Sequence, residues 1–186
     1  MCAHYDTCAD TPGAKDNASG VAAVLTLARR FARREPFEHT ELRFIALAAE
    51  EQGMLGAAAY CDELTEDERS RLLGAFNIDI LAVDAGAPHV ALSCNTLGGG
   101  AAGGYAAGSE DAPAANRISR AFERALLSSG VFRPEERGVA FYAPRHWGEG
   151  DHVPFHERGL DAATICFQGN ASALRPWPVD MHAPED

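Results

Sequence analysis

Histidine and carboxylate side chains recur along this chain at spacings that suit metal binding. His4 and Asp6 lie two residues apart, Glu50 and Glu51 are adjacent, and Asp79 lies between two isoleucines. Two adjacent carboxylates repel each other unless a proton or a cation lies between them, and a charge among apolar residues needs a partner or a metal. Imidazole and carboxylate ligands together suit zinc, with manganese or cobalt as alternatives. These residue types therefore indicate one or two divalent cations.

Further candidates lie in segments rich in turn-forming residues. Asp16 follows a proline and a glycine, Asp151 and His152 belong to the stretch RHWGEGDHVPF, and His182 belongs to DMHAPED near the last residue. Taken singly, such features also have ordinary explanations, because adjacent glutamates are common in exposed loops and a terminal histidine can belong to a frayed tail. Only the convergence of several of them would define a site.

Alternating strands and helices are expected to bring these side chains together. Apolar runs and helical periodicity predict strand 2–5, helix 18–34, strand 41–48, helix 54–62, a helix capped by Thr65 and Glu68, strands 76–83 and 89–94, helix 113–129, and strands 139–142 and 162–167. This alternation is typical of an α/β fold with a mostly parallel central sheet. Most of the candidates are expected where a strand passes into a loop, which is where such sheets bind ligands. Asp151 and His152 are expected in a loop.

The composition of the 186 residues argues against several other classes of protein. The formal net charge of -11 would repel the phosphates of a nucleic acid. Apolar residues make up 46% of the chain, and no apolar run approaches the roughly 18 residues of a membrane span. The five cysteines are odd in number and form no C-x-x-C pair, so neither a disulfide framework nor a thiolate zinc site is indicated.

Six stretches, taken in order, resemble the dizinc aminopeptidase family of metallopeptidases (clan MH), which includes aminopeptidase Y, carboxypeptidase Q and the catalytic-type domain of transferrin receptor. They are AHYD, PGAKDNASG, AEEQG, NIDI, GDHVPF and MHAPED. The resemblance covers positions 3 to 186. It implies a three-layer α/β/α sandwich with a mixed, mostly parallel sheet, formed by a single peptidase domain over residues 1–186.

The resemblance also implies a set of metal ligands. His4, Glu51, Asp79 and His182 are the expected terminal ligands of two zinc ions, and Asp16 is the carboxylate expected to bridge them. One ion would take His4 and Asp79, and the other would take Glu51 and His182. The family usually has a cis peptide bond after the bridging aspartate, which is expected here between residues 16 and 17.

Catalytic and substrate-binding roles follow from the same resemblance. Glu50 is the expected general base, which would take a proton from a metal-bridged water and return it to the leaving amine. Asp6 is expected to orient His4, because residues two apart in a strand share a face and a carboxylate can accept the second ring N–H. Asp151, His152 and Met181 are expected to line the substrate site.

The expected function is that of a zinc exopeptidase that removes N-terminal residues from peptides. The alternatives are a glutaminyl cyclase with one zinc ion, an inactive or weakly active truncated binding domain of the same fold, and a carboxypeptidase or dipeptidase. The sequence departs from the family at Lys15, where Asp or Asn is common, and at Met181, where many relatives have Tyr. It is also expected to lack N-terminal strands and a C-terminal helix that relatives have. It indicates neither a localisation nor an oligomeric state.

Overall fold

One mixed sheet positions the candidate residues. The computed structural model describes residues 1–82, 89–94, 117–129, 142–145 and 150–168. Within these ranges the strands are β1 (Cys2–His4), β2 (Ile45–Leu47), β3 (Ala75–Ile78), β4 (His89–Cys94), β5 (Tyr142–Arg145) and β6 (Ala162–Gln168). They lie in the order β2-β1-β3-β6-β4-β5.

Most neighbouring strands of this sheet run parallel. β1 pairs in parallel with β2 and β3, β3 with β6, and β4 with β5, whereas β4 runs antiparallel to β6. Parallel strands need long crossover connections, and helices supply most of these here. The expected α/β class with a mixed, mostly parallel sheet is therefore confirmed.

The described helices are α1 (Ser19–Phe31), α2 (Leu55–Glu63), α3 (Glu66–Arg71), α4 (Arg117–Ser128) and α5 (His152–Glu157). A turn over Ala14–Ala18, in which Asp16 and Asn17 have non-helical backbone angles, precedes α1. The expectation that Asp151 and His152 lie in a loop is wrong for His152, which begins α5, whereas Asp151 lies in the turn that precedes this helix. Six residues are too few to show helical periodicity, and Pro154 fits this helix because it falls in the first turn. None of the helices in the described ranges is long and apolar enough to cross a membrane.

Helices cover both faces of the sheet. On one face, Ala3 and Ile78 pack against Val24 of α1. Ala163 packs against Ile118 of α4 on that same face. On the other face, strand residues pack together with α2 and α5 around one apolar cluster, which comprises Cys2, Leu47, Ala57, Cys61, Leu64, Ala75, Phe155, Leu160 and Ala162. Successive residues of a strand alternate between these clusters, as the pleat requires.

Several strands differ in extent from the sequence expectation. The strand expected over 2–5 ends at His4. The strand expected over 76–83 is Ala75–Ile78, because the chain leaves the sheet after Asp79, where Ile80 has a φ of 51°. The strand expected over 41–48 is confined to Ile45–Leu47, because its parallel pairing with β1 covers only those three residues. Before it, Arg43 directs its side chain to the carboxylates of Glu41 and Glu68 at 2.7 and 2.8 Å. Of the strand expected over 139–142, residues 139–141 lie outside the described residues, and Tyr142 belongs to β5.

Candidate metal centre

The carboxyl ends of three neighbouring strands carry most of the candidate ligands. His4 is the last residue of β1, Asp79 directly follows β3, and Glu50 and Glu51 follow β2 after two intervening residues. Because β1 lies between β2 and β3 and is parallel to both, the three ends meet at one edge of the sheet. Asp16 reaches the same edge from the turn that precedes α1.

His4, Asp16 and Asp79 form a buried cluster. Nε2 of His4 lies 3.1 Å from Oδ1 of Asp16 and 3.3 Å from Oδ1 of Asp79. The three residues are only 1, 4 and 7% exposed. Within the described part of the chain, neither Nε2 of His4 nor Oδ1 of Asp79 has a partner in hydrogen-bond geometry. Buried polar atoms of this kind are costly unless a ligand satisfies them, so the cluster fits a cation.

A second potential ligand group overlaps the first. It consists of His4, Glu50 and Glu51, with both glutamates half-buried. In each group the nitrogen and oxygen atoms that could bind an ion lie within 4.8 Å of one another. Nitrogen and carboxylate oxygen donors without thiolate match the ligand preferences of zinc.

Asp6 acts on this centre through its backbone and its carboxylate. Nδ1 of His4 lies 3.1 Å from the carbonyl oxygen of Asp6 and 3.5 Å from its Oδ1. The carboxylate accepts the backbone N–H of Glu50 at 3.1 Å and that of Glu51 at 3.2 Å. The carbonyl is therefore the nearer partner of the imidazole, and the carboxylate holds the turn that presents both glutamates. That Asp6 orients His4 during catalysis stays a prediction.

The electrostatics of the centre are those of carboxylates crowded into a buried space. Burial alone would lower the pKa of His4, but the carboxylates of Asp16 and Asp79 beside its Nε2 raise it to about 12. Burial raises the pKa of Glu50 to about 8 and that of Asp151 to about 7, and it also raises the pKa of Asp79. Neighbouring carboxylates add to each of these increases. A multivalent cation would favour the ionised forms of all of these acids.

Asp151 and His152 lie at the beginning of α5 and are both fully buried. Nδ1 of His152 is 2.7 Å from Oγ1 of Thr164 on β6. Neither carboxylate oxygen of Asp151 has a hydrogen-bond partner within the described ranges. Burial keeps both side chains from direct contact with solvent, and their contribution to the substrate site stays a prediction.

Two of the sequence candidates, Met181 and His182, lie outside the described residues. Among the other candidates, the structure brings these six together at the carboxyl edge of the sheet: His4, Asp6, Asp16, Glu50, Glu51 and Asp79. The peptide bond between Asp16 and Asn17 is cis, as expected.

Two residues that contact this centre were not among the candidates from the sequence. Asn17 bonds to the backbone on both sides of Asp79, and Cys8 donates two hydrogen bonds to Glu51. A signal for Asn17 was present, because an asparagine three residues before Gly20 at the start of a helix can accept a backbone N–H there. Cys8 carried no signal, because its contact depends on the approach of two segments far apart in the chain.

Comparison with known proteins assigns the chain to a class. It matches the model of Peptidase family M28 over residues 1–186 and belongs to this family. The chain is 35% identical over 185 residues to Aminopeptidase YwaD of Bacillus subtilis (strain 168), an alignment that covers 99% of this chain and 34% of that protein. It is 32% identical over 177 residues to a probable zinc metalloprotease of Pyricularia oryzae, covering 87% of this chain and 34% of the relative.

The fold agrees with this assignment. The solved structure of BSAP, a zinc aminopeptidase from Bacillus subtilis, superposes with a TM-score of 0.72 at 32% sequence identity. The superposition covers 100% of this chain and 39% of that chain. The family and the fold class expected from the six stretches are confirmed, and the chain spans about a third of the length of the relatives it matches.

Proposed function

We propose that the protein is a zinc-dependent aminopeptidase that hydrolyses N-terminal residues from peptides. The observation that carries this proposal is the buried cluster of His4, Asp16 and Asp79, in which an imidazole nitrogen and a carboxylate oxygen lack hydrogen-bond partners within the described residues. Membership of Peptidase family M28 supports hydrolysis of peptide bonds. The names of the relatives, zinc aminopeptidase and probable zinc metalloprotease, support zinc.

Two zinc ions are the proposed complement. His4 and Asp79 would hold one ion, Glu51 and His182 would hold the other, and Asp16 would bridge them. The number of carboxylates and their crowding support two ions rather than one, since a single divalent charge would leave most of the acidic groups at this edge without a counter-charge. When bound, the zinc ions would supply Lewis acidity towards the scissile carbonyl and lower the pKa of the attacking water.

Glu50 is the proposed general base. Glu50 is half-buried beside Glu51, and its carboxyl lies close to His4, so it faces the metal centre. It is not one of the proposed zinc ligands and is therefore available to accept a proton. The turn that carries it is held by the carboxylate of Asp6. Glu50 would take a proton from the attacking water and deliver it to the leaving amine, a role worth about 10²- to 10⁴-fold in rate.

Hydrolysis of aminoacyl-p-nitroanilides, with and without a chelator, tests this proposal. We expect the chelator to abolish hydrolysis and added zinc to restore it. Glu50→Gln should lower kcat by roughly 10²- to 10⁴-fold while the zinc content stays at the wild-type value. Glu63→Gln, which removes the charge of an exposed glutamate at the end of α2, is the matched control and should leave kcat unchanged.

The other outcomes contradict the proposal in separate ways. Hydrolysis that survives the chelator would exclude the metal mechanism, and an undiminished Glu50→Gln variant would remove Glu50 from the role of base. A protein that binds zinc but cleaves no peptide would be a binding domain of the same fold. Cyclisation of N-terminal glutamine, in place of hydrolysis, would indicate a glutaminyl cyclase.

A further inference from the structure

The side chain of Asn17 bonds to the backbone on both sides of Asp79. Its Nδ2 donates to the carbonyl of Ile78 at 3.0 Å, and its Oδ1 accepts the N–H of Ile80 at 3.2 Å. Oδ1 also accepts the N–H of Gly20, in the first turn of α1, at 2.9 Å. Asn17 itself directly follows Asp16 and is only 1% exposed. One buried amide therefore connects the segment of Asp16 to the segment of Asp79.

The backbone at Ile80, which Asn17 holds by a hydrogen bond, adopts an unfavourable conformation for a β-branched residue. Ile80 has a φ of 51°, in the left-handed region that β-branched residues rarely adopt. The N–H of Asp79 still donates to the carbonyl of Ile165 on β6 at 3.0 Å, so the chain leaves the sheet directly after the candidate ligand. The hydrogen bond from the N–H of Ile80 to Asn17 stabilises this sharp exit, which aims Asp79 at the metal centre.

The beginning of α1 is built to allow this contact. A Cβ atom at Gly20 would collide with Oδ1 of Asn17 and with the carbonyl oxygen of Ile78, so only glycine lets the helix approach the end of β3 this closely. Ser19 adds a parallel connection, because its Oγ accepts the N–H of Leu81 at 2.9 Å. The first turn of α1 and residues 78–81 thus form one hydrogen-bonded unit.

We propose that Asn17 is a positioning residue of the metal centre, which fixes the carboxylates of Asp16 and Asp79 relative to each other. This inference rests on the proposed zinc-dependent function. In this role Asn17 would act only through the two ligands. It holds the backbone around Asp79 by hydrogen bonds, and it is joined to Asp16 by a peptide bond. Ligands held in place before the metal arrives bind it more tightly, and the loss of outer partners typically costs about 10- to 100-fold in metal affinity.

Zinc titration of four variants tests this inference. Asn17→Ala removes all three hydrogen bonds, and Asn17→Asp retains the acceptor oxygen for Gly20 and Ile80. Asp79→Asn weakens the proposed ligand itself and so identifies which step of the zinc titration depends on Asp79. Asn77→Ala is the matched control, because Asn77 is an equally buried amide on β3 whose Nδ2 donates to Thr164 of β6 instead. Affinities are measured by competition with a chromophoric chelator, and thermal stability is measured alongside.

We expect Asn17→Ala to weaken roughly 10- to 100-fold the same binding step that Asp79→Asn weakens. Asn17→Asp should restore part of that affinity, and Asn77→Ala should lose stability but keep wild-type zinc affinity. If Asn17→Ala does not fold, Asn17→Asp is compared with wild type, and an unchanged affinity would overturn the inference. Equal weakening by Asn17→Ala and Asn77→Ala would also overturn it, since the effect would then be one of stability alone.

The same titration separates this inference from the function on which it rests. A wild-type protein that binds no zinc would overturn the proposed function and the inference together. A wild-type protein that binds zinc, with Asn17 variants of equal affinity, would overturn only the role of Asn17.

Discussion

Cys8 donates a hydrogen bond to each oxygen of the Glu51 carboxylate. Its backbone N–H reaches Oε1 at 3.1 Å, and its thiol reaches Oε2 at 2.9 Å. The hydrogen bond to Glu51 raises the pKa of the Cys8 thiol to about 11, so the sulfur carries its proton at neutral pH and acts as a donor. The loop after β1 thereby fixes the orientation of a carboxylate that follows β2.

We expect the thiol of Cys8 to contribute to metal affinity through Glu51. Cys8→Ala removes the side-chain donor and should weaken zinc binding by about tenfold, at the low end of the range for lost outer-shell partners. Cys8→Ser keeps an O–H donor and should bind zinc nearly as wild type does. The zinc affinities of the two variants are compared by competition titration. Equal affinities for alanine and serine would contradict this role, and a thiolate-to-cobalt absorption band in the cobalt-substituted protein would show that sulfur is a ligand instead.

A second prediction concerns the carboxylate of Asp6, which accepts the N–H groups of Glu50 and Glu51. Asp6→Asn turns one acceptor into a donor that faces a backbone N–H, so one of these hydrogen bonds is lost. We expect kcat to fall roughly 10- to 100-fold while zinc content is retained, because the carbonyl of Asp6 still holds the His4 ring. Steady-state kinetics and elemental analysis measure both quantities. Asp10→Asn, in the loop after β1, serves as the control. Loss of zinc from Asp6→Asn would contradict the expectation that the Asp6 carboxylate positions the two glutamates while its carbonyl holds the His4 ring.

The sequence is sufficient to predict which strand ends carry the site. His4, Glu51 and Asp79 follow apolar segments short enough to be buried strands, and parallel strands bring their carboxyl ends to one edge. Residue types and the order of the motifs then indicate the metal and the family. What the strand pattern cannot supply is the approach of α1 to β3, because that depends on the absence of a side chain at Gly20 and on the hydrogen bonds of one asparagine.

Other features escaped prediction for local reasons. α5 is too short for its periodicity to be seen, and glycines and polar residues before it resemble a loop. Asp6 looked like the partner of the His4 ring, because residues two apart in a strand share a face. β1 ends at His4, however, so Asp6 lies beyond the strand. Its carbonyl oxygen is the nearer partner of the ring, while its carboxylate, 3.5 Å from Nδ1, also accepts the backbone N–H groups of residues 50 and 51.

The capping box of α3 gives a prediction that is independent of the metal centre. Oγ1 of Thr65 accepts the N–H of Glu68, while the Glu68 carboxylate accepts the N–H of Thr65. Thr65→Ala should lower the free energy of unfolding by about 1 kcal/mol, the usual cost of losing such a cap. Ser70→Ala, a hydroxyl deletion within the same helix, should change it by less than about 0.5 kcal/mol. Urea denaturation measures both, and equal effects would show that the cap contributes nothing specific.

Zinc binding should release protons at neutral pH, because of the state of His4 in the metal-free protein. Its pKa is raised to about 12 by Asp16 and Asp79, so the imidazole is protonated at pH 7. A histidine must be neutral to bind a metal, and zinc therefore displaces that proton. The raised pKa of Glu50, about 8, adds a second group that is partly protonated at that pH.

Calorimetric titration in buffers of different ionisation enthalpy counts the protons released. We expect at least about one per protein molecule at pH 7, and tighter zinc binding as the pH rises from about 6 to 8, because protons then compete less with the metal. His39→Gln removes an exposed histidine, 84% accessible at its side chain, and should leave the count unchanged. A binding enthalpy that is the same in every buffer would mean that His4 is already neutral before zinc arrives. The 3.1 and 3.3 Å contacts of Asp16 and Asp79 with Nε2 imply that these carboxylates hold a proton on the imidazole, and that result would contradict this implication.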